Sequence, residues 1–206
     1  MLSRTAKIII SIILSLTSVG LFCRFKGQKR KYCMIAMILC TIGDLFMVNA
    51  FGLGDVSTYP GAAFFMIGHV VYGLGFIKAS KAQGYSVVNR GFKLGLAFVI
   101  LTAAVLAFFA FTVPEVPQTV MFFLILIYVA VIGFNLVCQF SYASSEKSWR
   151  YMLALGMALF LISDFIIFLN MLDVTPAHND LVWATYIPAQ ALIIIFSDKF
   201  KKGLGE

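Results

Sequence analysis

The sequence predicts an all-α protein, a polytopic transmembrane bundle of about seven helices that forms one domain over residues 1–206. Three observations predict it. Of the residues, 61% are hydrophobic and 12% charged, with a mean hydropathy of +0.96, more apolar surface than a soluble domain of this size could bury. At about 20 apolar residues per crossing, the chain divides into seven apolar runs. Finally, 14 of its 16 basic residues fall on one side of a seven-span arrangement.

The first span, 7–23, looks like a signal peptide, but no small-residue cleavage site follows it. Phe22 before Cys23 is too bulky for a lipoprotein site, so a retained helix is expected. Arg24, Lys26, Lys29, Arg30 and Lys31 follow it and lead into span two, 32–50, which carries Gly43-Asp44 and, near its end, Asn49. Span three, 61–77, gathers Gly61, Phe65, His69 and Tyr72 onto one helical stripe. The next connection holds Lys78, Lys81, Arg90 and Lys93, with Gly84 as a loop hinge, before span four, 91–112. Span five, 118–140, has a weaker stripe of Tyr128, Asn135 and Gln139, the last two read as structural. Lys147, Trp149 and Arg150 precede span six, 150–171, where Gly156, Phe160 and Ser163-Asp164 share a face and Asn170 lies near the end. Span seven, 181–198, lines up Trp183, Tyr186 and Gln190. Pro188 between the last two frees a backbone carbonyl near Ala184. Trp149 and Trp183 read as interfacial anchors, and Asp198 as a residue of the tail boundary.

Charge orients the chain. Lys199, Lys201 and Lys202 complete the basic side, while the opposite loops carry Asp55, Glu115, Asp173 and Asp180. The positive-inside rule therefore places the tail in the cytoplasm and the N-terminus outside. Arg4 and Lys7 dissent and are outweighed by five bases in the next loop. The net charge of +7 is accounted for by topology and anionic-lipid contact, without nucleic acid. Cys23, Cys33, Cys40 and Cys138 lack metal-ligand spacing, which leaves them as small buried hydrophobes and argues against a zinc site or disulfide framework.

Asp44 and Asp164 are the costly residues. A carboxylate in hydrocarbon costs several kcal/mol, and neither span contains a lysine or arginine beside its aspartate. With about 1.5 Å of rise per residue, Asp44 lies roughly 18 Å and Asp164 roughly 21 Å from the basic side, while His69 and Gln190 lie roughly 12 and 15 Å from the other. In a core about 30 Å thick, all four share one layer. The two hairpins also look alike: each rises through an aspartate, passes an asparagine, turns through an acidic loop and returns with His69 or Gln190. The pattern suggests a parallel internal repeat that gives each aspartate a partner from its own hairpin.

In order and spacing, Gly43-Asp44, the Phe65/His69/Tyr72 stripe, Ser163-Asp164 and Tyr186-x-x-Ala189-Gln190 resemble the YhhN family of lysoplasmalogenases, from about residue 32 to 198. The resemblance implies a multi-pass hydrolase, expected in a bacterial cytoplasmic membrane. It implies cleavage of the vinyl ether of lysoplasmalogens to a fatty aldehyde and a glycerophospho-base, with water and membrane lipids as the other partners. Asp44 and Asp164 become the catalytic residues, and His69, Tyr72, Tyr186 and Gln190 position water or substrate. Two departures stand out: members commonly have eight spans, the first of which has no counterpart here, and a Lys-Pro of the family corresponds to Lys7-Ile8.

The chemistry suits these residues. Protonation of the vinyl ether's β-carbon gives an oxocarbenium ion, which water captures; the hemiacetal then collapses. No metal or cofactor is required. The step needs one carboxylic acid and one carboxylate, roles that two neighbouring buried carboxyls commonly divide. Two other classes fit the same residues: a proton-coupled transporter with the aspartates as its relay, and a non-enzymatic protein in which they bridge helices. A retinal-type pump fits poorly, since span seven has no mid-membrane lysine.

Overall fold

Ser3 starts the first helix: its side-chain oxygen accepts the Ala6 N–H at 3.1 Å and so satisfies one of the donors a helix start leaves free. The computed structural model describes residues 2–112, 120–144, 151–171 and 179–197. These form seven helices and no strand: α1 (Arg4–Phe25), α2 (Gln28–Met47), α3 (Thr58–Ala82), α4 (Arg90–Thr112), α5 (Val120–Ser144), α6 (Tyr151–Met171) and α7 (Asn179–Phe196). Among the described residues, α1, α3, α5 and α6 supply segments long and apolar enough to cross a membrane. Such a chain is suited to integration in a bilayer. Glu115, Lys147, Trp149, Arg150, Asp173, Asp198, Lys199, Lys201 and Lys202 lie outside the described residues.

Helix ends are set by residues that tolerate left-handed backbone. The expected span to residue 50 is cut short because Asn49 turns to φ 54°, its N–H reaching the Phe46 carbonyl and its Oδ1 accepting the Gly54 N–H. Gly84 caps α3 rather than serving as a hinge. At φ 71° it lets its own N–H and that of Tyr85 return to the carbonyls of Lys81 and Ser80. Asn89 starts α4 by accepting the Phe92 N–H.

The helices close into a ring. α1, α2 and α3 pack in sequence, as do α5, α6 and α7; α3 then meets α5, and α7 returns to α1. α4 packs mainly on α5, outside this ring. α1–α3 and α5–α7 thus form two three-helix units. Close approach within the ring relies on small residues: a Cβ on Gly43 would meet the Phe65 ring at 3.0 Å and the Gly61 carbonyl at 3.1 Å.

The two ends of the ring differ. At the end bearing Lys29, Lys29 donates to the Tyr142 hydroxyl, Lys78 donates to the Tyr32 hydroxyl, and Arg30 is buried against the Phe25 ring. At the other end, the Arg4 guanidinium donates to the Asn49 carbonyl, and Asp180 accepts the Leu2 N–H. Cys33, Cys40 and Cys138 are buried as expected, whereas Cys23 is exposed on the outer face of α1.

Candidate functional site

The polar stripes do face inward. Gly61, Phe65, His69 and Tyr72 are all buried on α3, Phe160, Ser163 and Asp164 on α6, and Tyr186 and Gln190 on α7. Two cavities open from the Arg4 half of the ring; of these residues Phe65, Ser163, Asp164 and Tyr186 line them, whereas Gly61, His69, Tyr72, Phe160 and Gln190 line neither. The larger has a volume of about 470 Å³; Asp44, Asp164, Ser163 and Tyr186 line its wall, and Arg4, Lys7 and Trp183 also border it. The smaller, of about 160 Å³, is apolar and runs between α3, α5 and α6, past Ala62, Met66, Ile125 and Phe168. Both touch Met47, Thr58, Phe65, Asp164 and Ile167, so Asp164 borders both spaces.

Each carboxyl is held by a tyrosine. Tyr186 donates its O–H to Asp44 Oδ2 at 2.8 Å, and Tyr128 donates to Asp164 Oδ2 at 2.9 Å. His69 Nε2 stands 4.0 Å from that same Asp164 oxygen and has no hydrogen-bond partner among the described residues. The expected pairing within hairpins is thereby reversed. His69, on the hairpin of Asp44, turns to Asp164, and the α7 residues on the hairpin of Asp164 turn to Asp44. The ring explains it: neighbours in sequence lie side by side along the wall, and the side chains that meet across the chamber come from opposite units.

Behind each carboxyl the hydrogen bonds continue. Gln190 Nε2 donates to the Tyr186 hydroxyl at 3.3 Å, and Gln190 Oε1 accepts the Tyr72 O–H at 3.1 Å. Tyr72 thus reaches Asp44 only through two intermediates. On the other side, Gln139 Nε2 donates to Asn135 Oδ1 at 3.1 Å. That orients the Asn135 amide so that its Nδ2 donates to His69 Nδ1 at 2.9 Å. With Nδ1 accepting, the proton of a neutral imidazole sits on Nε2, the nitrogen facing Asp164. Phe160 separates the two networks, with its ring centroid 4.6 Å from His69 and 5.3 Å from Tyr186.

Sequence reasoning missed several contributors. Tyr128 and Asn135 lay on a recognised stripe; their roles depend on α5 standing beside both α3 and α6, which spacing does not reveal. Ser11 gave no signal, yet it is buried beside the Asp44 carboxyl, and its carbonyl accepts the Thr41 hydroxyl. Trp183 is not an interfacial anchor: it is 8% exposed, and its ring packs edge-on against Tyr186. Lys7, whose counterpart position the resemblance singled out, borders the chamber with its Nζ 5.5 Å from the Trp183 ring centroid.

No curated protein and no solved structure matches this chain. A family model, that of the YhhN family, matches residues 2–196, which include α1 and every residue of both networks. The chain therefore belongs to the YhhN family.

Proposed function

We propose that this protein is a membrane-embedded hydrolase that cleaves the vinyl ether of lysoplasmalogens. The observation that carries the reading is that Asp164 borders two unlike cavities. A single-chain lipid has the matching form, with a polar head, one alkenyl tail and the scissile group between them. The tail lies in the apolar arm between α3, α5 and α6, the head lies in the wider polar chamber, and the vinyl ether falls beside Asp164.

One carboxylic acid of the Asp44–Asp164 pair delivers its proton to the β-carbon, and the C=C electron pair forms the new C–H bond. Positive charge develops on the α-carbon and ether oxygen and is stabilised by the carboxylates at hand. The other carboxylate takes a proton from water as the water oxygen bonds to the α-carbon. In the collapse, the first carboxylate removes the hemiacetal hydroxyl proton while the second returns its own to the departing glycerol oxygen. Aldehyde and alcohol are released and both carboxyls regain their starting states. His69 Nε2–H and the Tyr128 and Tyr186 hydroxyls hold the carboxyls and the water in place. In this reading the Arg4 end faces outward, and the protein resides in a bacterial cytoplasmic membrane.

The transporter reading has one observation in its favour: the polar chain His69–Asn135–Gln139 runs from Asp164 toward the Lys29 half of the ring. Its last two members are amides, which do not titrate and so pass protons poorly. Aldehyde release from lysoplasmalogen by the purified protein, without release from its ester analogue, tests the enzyme. Proton-coupled solute uptake by vesicles in the absence of hydrolysis would support the transporter instead.

A further inference from the structure

Arg4 and Lys7 sit on the side that the charge distribution otherwise leaves without bases. Both border the chamber that holds the two aspartates. Arg4 donates to the Asn49 carbonyl at the end of α2, and half-buried Lys7 lies over the Trp183 ring. Among the described residues, no carboxylate oxygen comes within 4.0 Å of either cation. Two cations at a cavity rim, neither in a direct ion pair among the described residues, offer an anion site above the carboxyls of the chamber wall.

We infer that Arg4 and Lys7 form a subsite for the phosphate in the head group of a single-chain lipid. The inference rests on the reading of the chamber as a lysolipid site and adds which part of the lipid is recognised, and by what. Register supports it. Lys7 stands one helical turn, about 6 Å, from Ser11, which lies beside Asp44. A glycerol unit spans a gap of that order between its ether oxygen and its phosphate. A phosphate held at the rim therefore leaves the ether oxygen level with the carboxyls. The guanidinium supplies a planar fork for the phosphate oxygens and the ammonium a point charge.

Binding can be read without turnover. The chain has two tryptophans, so a Trp149→Phe background leaves Trp183, in contact with Lys7, as the reporter. The detergent-solubilised protein is titrated with an ester lysophosphatidylcholine, with a monoacylglycerol of the same chain, and with inorganic phosphate. We expect the lysophospholipid to bind at least about tenfold more tightly than the monoacylglycerol, in line with charge-assisted phosphate contacts. Arg4→Gln with Lys7→Gln should abolish that preference while leaving monoacylglycerol affinity in place, which also shows that the variant is folded. Lys7→Arg should retain most of it. An equal affinity for the two lipids, or a preference that survives the double substitution, overturns the inference and leaves the cations as contacts to bulk lipid. Competition by inorganic phosphate alone at the lysolipid's own concentration would overturn the head-group assignment in favour of a free-phosphate site. Since no aldehyde need form, failure here is distinct from failure of the hydrolase reading.

Discussion

The two carboxyls are held alike and supported differently. Asp44 and Asp164 each accept one tyrosine hydroxyl at nearly the same distance, 2.8 and 2.9 Å. Behind Asp44 the next groups, Gln190 and Tyr72, add rigidity, with no titratable base among them except the phenol itself. Behind Asp164 stands His69, whose proton is assigned to one nitrogen by Asn135 and, through it, by Gln139. One half therefore fixes a carboxyl, and the other fixes a carboxyl and aims an N–H at it. Hydrogen bonds between membrane helices contribute about 0.6 kcal/mol each on average, so these networks matter more for geometry than for stability.

The severest test of the comparison removes each carboxyl. Asp44→Asn and Asp164→Asn should each lower kcat for aldehyde release by at least about 10³-fold, toward the upper end of what positioned acid–base groups supply. Elution in detergent should be unchanged. If either variant keeps near-wild-type turnover, the pair does not act as a pair. The tyrosines come next. Tyr128→Phe and Tyr186→Phe each leave a carboxyl short of one positioning hydrogen bond, and we expect losses of about tenfold in kcat, equivalent to about 1.4 kcal/mol at the transition state. A loss confined to one of the two would show that the carboxyls' tyrosines are not equivalent.

That symmetry was partly legible in the sequence. Asp44, Asp164, His69, Tyr186 and Gln190 stand out because a polar residue in an apolar run is conspicuous, and helical spacing sorts them onto single faces. Depth arithmetic placed Asp44, Asp164, His69 and Gln190 in one layer because α-helical rise is nearly constant. Partnership was not legible. It depends on how α7 closes onto α1 and α3 onto α5, contacts between residues far apart in the chain. Trp183 was misread for a related reason: an aromatic near a span end suits the interface, but α7 begins at Asn179, and its second turn carries the indole into the chamber wall. Arg4 and Lys7 were visible as exceptions to the charge pattern, and only the chamber gives the exception a meaning.

The indirect supports should separate the halves. Asn135→Leu leaves the His69 tautomer unassigned, so we expect kcat to fall about tenfold, the effect of about 1.4 kcal/mol, with KM little changed. Gln190→Leu leaves the Tyr186–Asp44 hydrogen bond in place and should reduce kcat only about threefold, less than the loss of a typical hydrogen bond. Steady-state kinetics of the two variants side by side decide the matter. The reverse order would place the more demanding alignment at Asp44.

The smallest expected effect on activity comes from α4. A Cβ on Gly91 would stand 2.0 Å from the Phe140 carbonyl oxygen and 2.5 Å from Ser144 Oγ, so Gly91→Ala must push α4 away from α5. Overpacking of this kind costs about 1–3 kcal/mol, and the melting temperature in detergent should fall by several degrees. Because α4 lies outside the ring that carries both carboxyls, turnover well below the melting point should be unchanged. Gly43→Ala makes the same chemical change within the ring. It presses on the Phe65 ring and the Gly61 carbonyl one residue from Asp44, and should lower stability and turnover together. If Gly91→Ala also impaired turnover in folded protein, α4 would have to help hold α5, and with it Tyr128 and Asn135, in register against Asp164 and His69.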